Sequence, residues 1–220
     1  MSGADAACAI IAGGAARRLD NAVKPLIEVA GQTILDRILA VLRPRFTDIA
    51  IAANDPALGL GRGLPVLPDR TPGQGPLAGI RSALEWCPRS HLLVVPGDMP
   101  CLRGEVVDVL LTRCAPGDDA VVPYIAGLPE PLLALYHTRC LAEVERRLDR
   151  GQRKVAALLD ADGLTVRRVA EDTLRAIDPE LHCFININTP DDLARAAARL
   201  GGSAQPAIER PRSIDEDSAP

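Results

Sequence analysis

The sequence predicts an α/β domain of three layers, αβα, with helices on both faces of a mostly parallel, doubly wound sheet. Three observations predict it. Short apolar runs recur along the chain and end in Gly, Pro, Asn or Asp, as strands buried on both faces do. Stretches of helical period fall between those runs. Aromatic residues make up only 2%, so Ala, Val, Leu and Ile must supply the core, and that set suits helices packed on a parallel sheet.

The first run covers residues 7–12 and ends at Gly13-Gly14. TILDRILAVL, from Thr33, reads as a helix. Thr33 is its N-cap, and Ile34, Ile38, Val41 and Leu42 share a face. DIAIAA, residues 48–53, is a second strand that ends at Asn54-Asp55, and a short strand follows at 64–67. DRTPGQGPLAGI begins as turns and becomes helical through Leu84. HLLVVPGDMP gives a strand ending at Pro96, and residues 105–113 give a helix. DAVVPY and PLLALY read as further strands, 140–149 and 155–159 as helices, and CFINI, from Cys183, as a late strand. TPDDLARAAARL closes the series, with Thr189 as N-cap and Pro190 at the first helical position.

The 220 residues suit one domain, expected over 1–200. The remainder, 201–220, is rich in Pro, Ser and charge without periodicity and reads as a disordered tail. Net charge is −4, which argues against a polybasic nucleic-acid face. The scarcity of aromatics argues against stacking platforms for single strands. Six cysteines occur without C-x-x-C spacing, mostly inside apolar runs, and read as buried, reduced thiols. No apolar run reaches the length of a membrane span, and a cytoplasmic location is expected.

Ligands of parallel sheets bind beyond the carboxyl ends of the strands, so the residues just after each strand are the candidates. After the first strand come Gly13 and Gly14, where a ligand can approach the backbone and free amides can cradle phosphate oxygens. Arg17, Arg18 and Lys24 add positive charge, a combination suited to a triphosphate. The pattern is neither GxGxxG nor GxxxxGK[ST]. Asp98, in VVPGDMP, offers a carboxylate that can hold Mg²⁺ together with phosphate oxygens. Asp69 can accept the two adjacent N–H donors of guanine, whereas adenine offers an acceptor at the matching ring nitrogen. Asn54 ends a strand and can contact base or ribose. Asn186 and Asn188 straddle Ile187 and can complete a metal or phosphate shell.

The ordered set IAGG, Lys24, Asn54, PD with GPLAG, PGDMP, EPLLALY and ININTPDDL resembles the molybdenum cofactor guanylyltransferase family, from about Ala9 to Leu200. GPLAG and NINTP are its sharpest parts. The resemblance implies a Rossmann-like nucleotidyltransferase fold and Mg²⁺. It implies transfer of GMP from GTP to the phosphate of molybdopterin, with pyrophosphate released. Carried over by residue, it implies backbone contacts to GTP from Ile11, Ala12, Gly13 and Gly14, and a phosphate lysine at Lys24. It also implies nucleoside contacts from Asn54 and Asp69, and Asp98 on nucleotide and metal. Lys24, Arg18 and Asp98 would carry the catalysis, and Asn186 and Asn188 would serve the acceptor or support the site. Partners would be GTP, molybdopterin, cofactor-biosynthesis proteins and recipient apo-enzymes. The loop departs from the family's usual R-M-G-x-D-K: Asp20 replaces the glycine, and Val23 the acidic residue before the lysine. Two alternatives stay open on sequence: a related nucleotidyltransferase with another base or acceptor, such as a molybdopterin cytidylyltransferase, and an inactive nucleotide- or cofactor-binding relative.

Overall fold

Strand β1 (Ala6–Ile11) runs through the middle of the main sheet. All six of its residues are buried, because parallel strands flank it on both sides and helices cover both faces. The computed structural model describes residues 5–13, 23–201 and 204–205. A small hairpin, β2 (Glu28–Val29) and β3 (Gln32–Thr33), leads into α1 (Ile34–Leu42). Then follow β4 (Ile49–Ala52), β5 (Val66–Leu67), α2 (Pro76–Trp86), β6 (His91–Pro96), α3 (Gly104–Arg113) and β7 (Ala120–Ile125). The chain continues with β8 (Leu128–Pro129), β9 (Ala134–His137), α4 (Leu141–Asp149), β10 (Val166–Val169), α5 (Glu171–Arg175), α6 (Pro190–Arg199) and β11 (Ala204–Gln205).

The strand order is β10-β7-β9-β6-β1-β4-β5. Along that path β9 alone runs against its neighbours, so the sheet is mostly parallel as the apolar runs predicted. The two-residue period sorts the core into two layers. Ala6, Cys8 and Ile10 of β1 pack with α1, α3, α5 and α6; Ala7, Ala9 and Ile11 pack with α2 and α4. An added Cβ on Gly79 would lie 3.3 Å from Ile11 Cγ2, so this glycine lets α2 sit close on β1. Both predicted caps form. Thr33 accepts from the Asp36 amide, and Thr189 and Asp192 make a reciprocal capping box with Pro190 behind them.

Four expectations need correction or extension. CFINI is not a strand: His182–Phe184 is a 3-10 turn, and the residues after it pair with no strand among the described residues. Its alternation is real, with Cys183, Ile185 and Ile187 buried, but those side chains seal the core under a crossing loop. The buried Asp178 carboxylate holds that loop by accepting from the Cys183 amide at 2.8 Å. The helix expected at 155–159 is present as a 3-10 helix, Ala156–Asp160. The VRRV strand β10 was not read from sequence because its outer arginines hide the pattern; Arg167 pairs with buried Asp118, and Arg168 lies over the Tyr124 ring. Within the tail expected to be disordered, Ala204–Gln205 pair antiparallel with β2; the other described tail residue, Gly201, is a turn.

All six cysteines are free, and burial pushes the thiols of Cys8, Cys140 and Cys183 up, Cys140 to about 12. Among the described residues no helix is long and apolar enough to cross a membrane.

Candidate active site

The carboxyl ends of β1, β4, β5 and β6 share one edge of the sheet, and each is followed at once by a candidate residue. The turns there are stitched together. Gly97 N–H donates to the Ile11 carbonyl at 2.9 Å, and Ala12 N–H donates to the Ala52 carbonyl at 2.9 Å. The amide of Ala12 is therefore not free for a phosphate oxygen, which corrects the expected backbone contact from that residue's N–H. A Cβ on Gly97 would meet Ile11 O at 3.1 Å, Pro25 Cγ at 3.2 Å and Ala12 Cα at 3.3 Å. That glycine is required by the close approach of two turns. At Gly13 an added Cβ would meet, among the described residues, nothing nearer than Ala52 O at 3.7 Å. The described residues leave room for a side chain there, so this is a place where a ligand could lie against the backbone.

Lys24 opens a short 3-10 turn, with Pro25 behind it. Its Nζ donates to Asn188 Oδ1 at 2.7 Å and to Asp98 Oδ2 at 3.3 Å. The Lys24 and Asp98 side chains are 12% and 25% exposed, so the pair sits in a recess with one face open. Ile187 N–H donates to the Asp98 backbone carbonyl at 2.9 Å, which pins the ININ loop over the end of β6. Asn188 is fixed in turn by its own amide, which donates to Asp192 Oδ2. A cleft of about 190 Å³ lies over these residues, lined by Ile11, Gly13, Lys24, Pro25, Gly97 and Asp98 among others.

Asn54 and Asp69, at the ends of β4 and β5, bind each other. Asn54 Nδ2 donates to Asp69 Oδ2 at 3.1 Å, and the Asp69 amide donates to Asn54 Oδ1 at 2.8 Å. Asn54 thus spends its side chain on orienting Asp69, and Asp69 Oδ1 takes no hydrogen bond among the described residues. Gly73 and Gly75 beyond it adopt positive φ, 83° and 78°, which lets the chain turn sharply into α2.

A second cleft, about 470 Å³, adjoins the first across Asp98, Pro76, Pro96 and Leu132. Asn186 and Asn188 line it, together with Glu130, Arg153 and Lys154. Sequence reasoning did not single out these last three. Glu130 was visible only inside EPLLALY, and GQRKV carried no signal of its own. The structure therefore brings Ile11, Ala12, Gly13, Lys24 and Asp98 to one cleft, with Asn186 and Asn188 at its neighbour and Asn54 and Asp69 on the same edge. Gly14, Arg18 and Asp20 lie outside the described residues. His91 opens β6 while Asp98 follows it, so His91 and its ring contact His137 stand at the opposite end of the sheet.

Among the described residues no group of three or more His, Cys, Asp or Glu side chains is placed to hold a metal. Asp98 offers Oδ1 without a hydrogen-bond partner among the described residues. One carboxylate facing a phosphate-sized cleft fits Mg²⁺, which takes few protein ligands and completes its shell with phosphate oxygens and water.

Residues 8–166 match the model of the MobA-like NTP transferase domain. The chain is 36% identical to the molybdenum cofactor guanylyltransferase of Mesorhizobium japonicum, covering 89% of this chain and 96% of that one. It is 33% identical to the enzyme of the same name from Desulfosudis oleivorans, covering 87% and 94%. Its fold matches the crystal structure of molybdopterin-guanine dinucleotide biosynthesis protein A from Archaeoglobus fulgidus with a TM-score of 0.73 at 30% identity, over 88% and 98% of the two chains. It matches 2-C-methyl-D-erythritol 4-phosphate cytidylyltransferase from Thermus thermophilus with a TM-score of 0.67 at 20% identity, over 88% and 98%, a likeness of fold.

Proposed function

The chain belongs to the MobA-like NTP transferase family, and on that premise we propose that it transfers GMP from GTP to the terminal phosphate of molybdopterin. The products are the guanine dinucleotide form of the cofactor and pyrophosphate. The observation that carries this reading is Lys24 Nζ, held between Asp98 and Asn188 beside the open backbone of Gly13. A cation, a carboxylate and a bare backbone in one recess suit a metal-bound triphosphate.

The attacking group is a phosphate monoester, whose second pKa near ~6 leaves it largely deprotonated at neutral pH. No side chain has to remove a proton. The protein's task is to bring two anions together in line and to screen their repulsion. Lys24 supplies fixed positive charge, and Asn188 and Asp98 hold its ammonium in place. Gly13 leaves room for the phosphates against the backbone. Asp69, held by Asn54, accepts the paired donors of guanine. Asp98 would hold Mg²⁺, which when bound neutralises charge on the phosphate oxygens. The cleft across Asp98 then takes the acceptor. Recipient apo-enzymes and cofactor-biosynthesis proteins are the downstream partners, and the cytoplasm is the compartment that keeps six free thiols reduced.

The test is incubation with GTP, MgCl₂ and molybdopterin with molybdate, followed by chromatographic analysis for the dinucleotide. A GTP-dependent dinucleotide with stoichiometric pyrophosphate is expected. A product formed faster from CTP, or none at all, would reject the assignment.

A further inference from the structure

The second cleft is chemically divided. Arg153 and Lys154 bring positive charge to it, and Arg153 also donates to the Gly73 carbonyl at 3.2 Å, next to the loop that carries Asp69. Glu130 also lines it, yet it forms no ion pair or side-chain hydrogen bond with any described residue. Burial pushes its carboxyl above the usual range, and no neighbouring cation offsets that effect. Glu130 therefore stands apart from the two cations of the same cleft.

Its position is fixed by the backbone. Pro129 and Pro131 flank it, its amide donates to the Pro123 carbonyl at 2.9 Å, and its carbonyl accepts from Leu133 at 3.1 Å. The Pro131 carbonyl in turn accepts from the hydroxyl of buried Tyr136 at 2.7 Å. A half-buried carboxylate held this firmly, with no donor on it among the described residues, is placed to accept from a ligand. A ligand that brings N–H donors satisfies it, and one that brings only acceptors does not.

We infer that Glu130 is a specificity-determining residue for the acceptor, whose carboxylate accepts the adjacent ring N–H and amino donors on the edge of a pterin. This rests on the acceptor reading given above. A 2-amino-4-oxo pterin presents the same donor pair that guanine presents to Asp69. The protein thus uses one chemical device twice, a carboxylate for each of two rings, on either side of Asp98. Arg153 and Lys154 face the anionic part of the acceptor.

The experiment measures molybdopterin binding through pterin fluorescence, without GTP, in the wild type, Glu130→Gln and Glu130→Ala. GTP binding is followed by calorimetry and folding by thermal melting. Glu130→Gln keeps the shape but replaces one acceptor oxygen with a donor. Molybdopterin affinity should fall about 10- to 100-fold in both variants, the range expected for losing a charge-assisted pair of hydrogen bonds. GTP affinity and melting temperature should stay close to wild type. Unchanged molybdopterin affinity in both variants overturns the inference, as does a loss confined to GTP binding. The two readings fail separately. Glu130-dependent pterin binding in a protein that makes no dinucleotide leaves this inference standing and removes guanylyl transfer. Dinucleotide synthesis with Glu130-independent pterin binding does the reverse.

Discussion

Replacing Asp98 by alanine separates what this residue does for stability from what it does for turnover. At 3.3 Å its gross attraction to Lys24 is roughly 1.3 kcal/mol in bulk water and about 5 kcal/mol at an effective dielectric near 20. Both side chains keep contact with solvent, both lose hydration on pairing, and Lys24 retains Asn188 as a partner. The net contribution to folding is then about 0–1 kcal/mol. In a chain of this length that lowers Tm by about 2–4 °C at most. Turnover should suffer far more, because the carboxylate both orients Lys24 and is the proposed seat of the metal. Loss of one such preorganised charge costs about 100- to 1,000-fold in kcat. The assay is pyrophosphate release at saturating GTP, run beside a thermal melt of the same preparation. A folded Asp98→Ala variant with near-normal kcat would refute the reasoning. So would a drop of more than 10 °C in Tm, which would make the residue a structural one. The double variant with Lys24→Ala should lose little beyond the worse single variant, since the two groups act as a unit.

Gly97→Ala should destabilise the protein by about 1–3 kcal/mol, because its Cβ meets two backbone atoms and Pro25 within 3.3 Å; urea unfolding measures this, and an unchanged midpoint contradicts the close approach. Gly13→Ala should leave the unfolding midpoint in place and weaken GTP binding, by about tenfold in calorimetry; equal GTP affinity would mean that no ligand touches that backbone. Asp69→Asn should narrow the preference for GTP over ATP by at least about tenfold, since it replaces an acceptor with a donor, and Asn54→Ala should do so more weakly by freeing Asp69; an undiminished preference in a nucleotide panel would exclude base reading at this position. Burial works against the charge on Asp118, but the Arg167 guanidinium and the Ala115 amide outweigh it and hold the carboxyl below its usual range. A depressed native pKa adds stability that is present above the unfolded value, ~3.9, and lost as pH falls through the native one. Denaturation at pH 6 and pH 3 should therefore differ less for Asp118→Asn than for the wild type, and equal differences would contradict the linkage.

What could be read from the chain was set by physical locality. β1 and β6 were legible because a strand buried on both faces must be apolar throughout, and Thr33 and Thr189 because a cap lies within three residues of its partner. Lys24 and Asp98 were legible because the edge beyond parallel strands is where ligands bind. The meeting of Lys24 with Asn188 spans 164 positions and left no mark in either segment. Asn54 was read as a ligand group, and only the fold shows it clasping Asp69. CFINI carried a strand's alternation but had no neighbouring strand to pair with. The direction of β9 and the division of the second cleft depend on how loops return, which no local pattern records.

The pairing of Lys24 with Asp98 has a consequence for admission to the site. A free nucleotide triphosphate arriving there faces the carboxylate, and a lone divalent ion faces the ammonium. On the proposed reading, a nucleotide already carrying its ion would meet an opposite charge at both points and could split the pair. On that reading the resting contact, worth about 0–1 kcal/mol net, would weigh against either component arriving alone and yield readily to the two together.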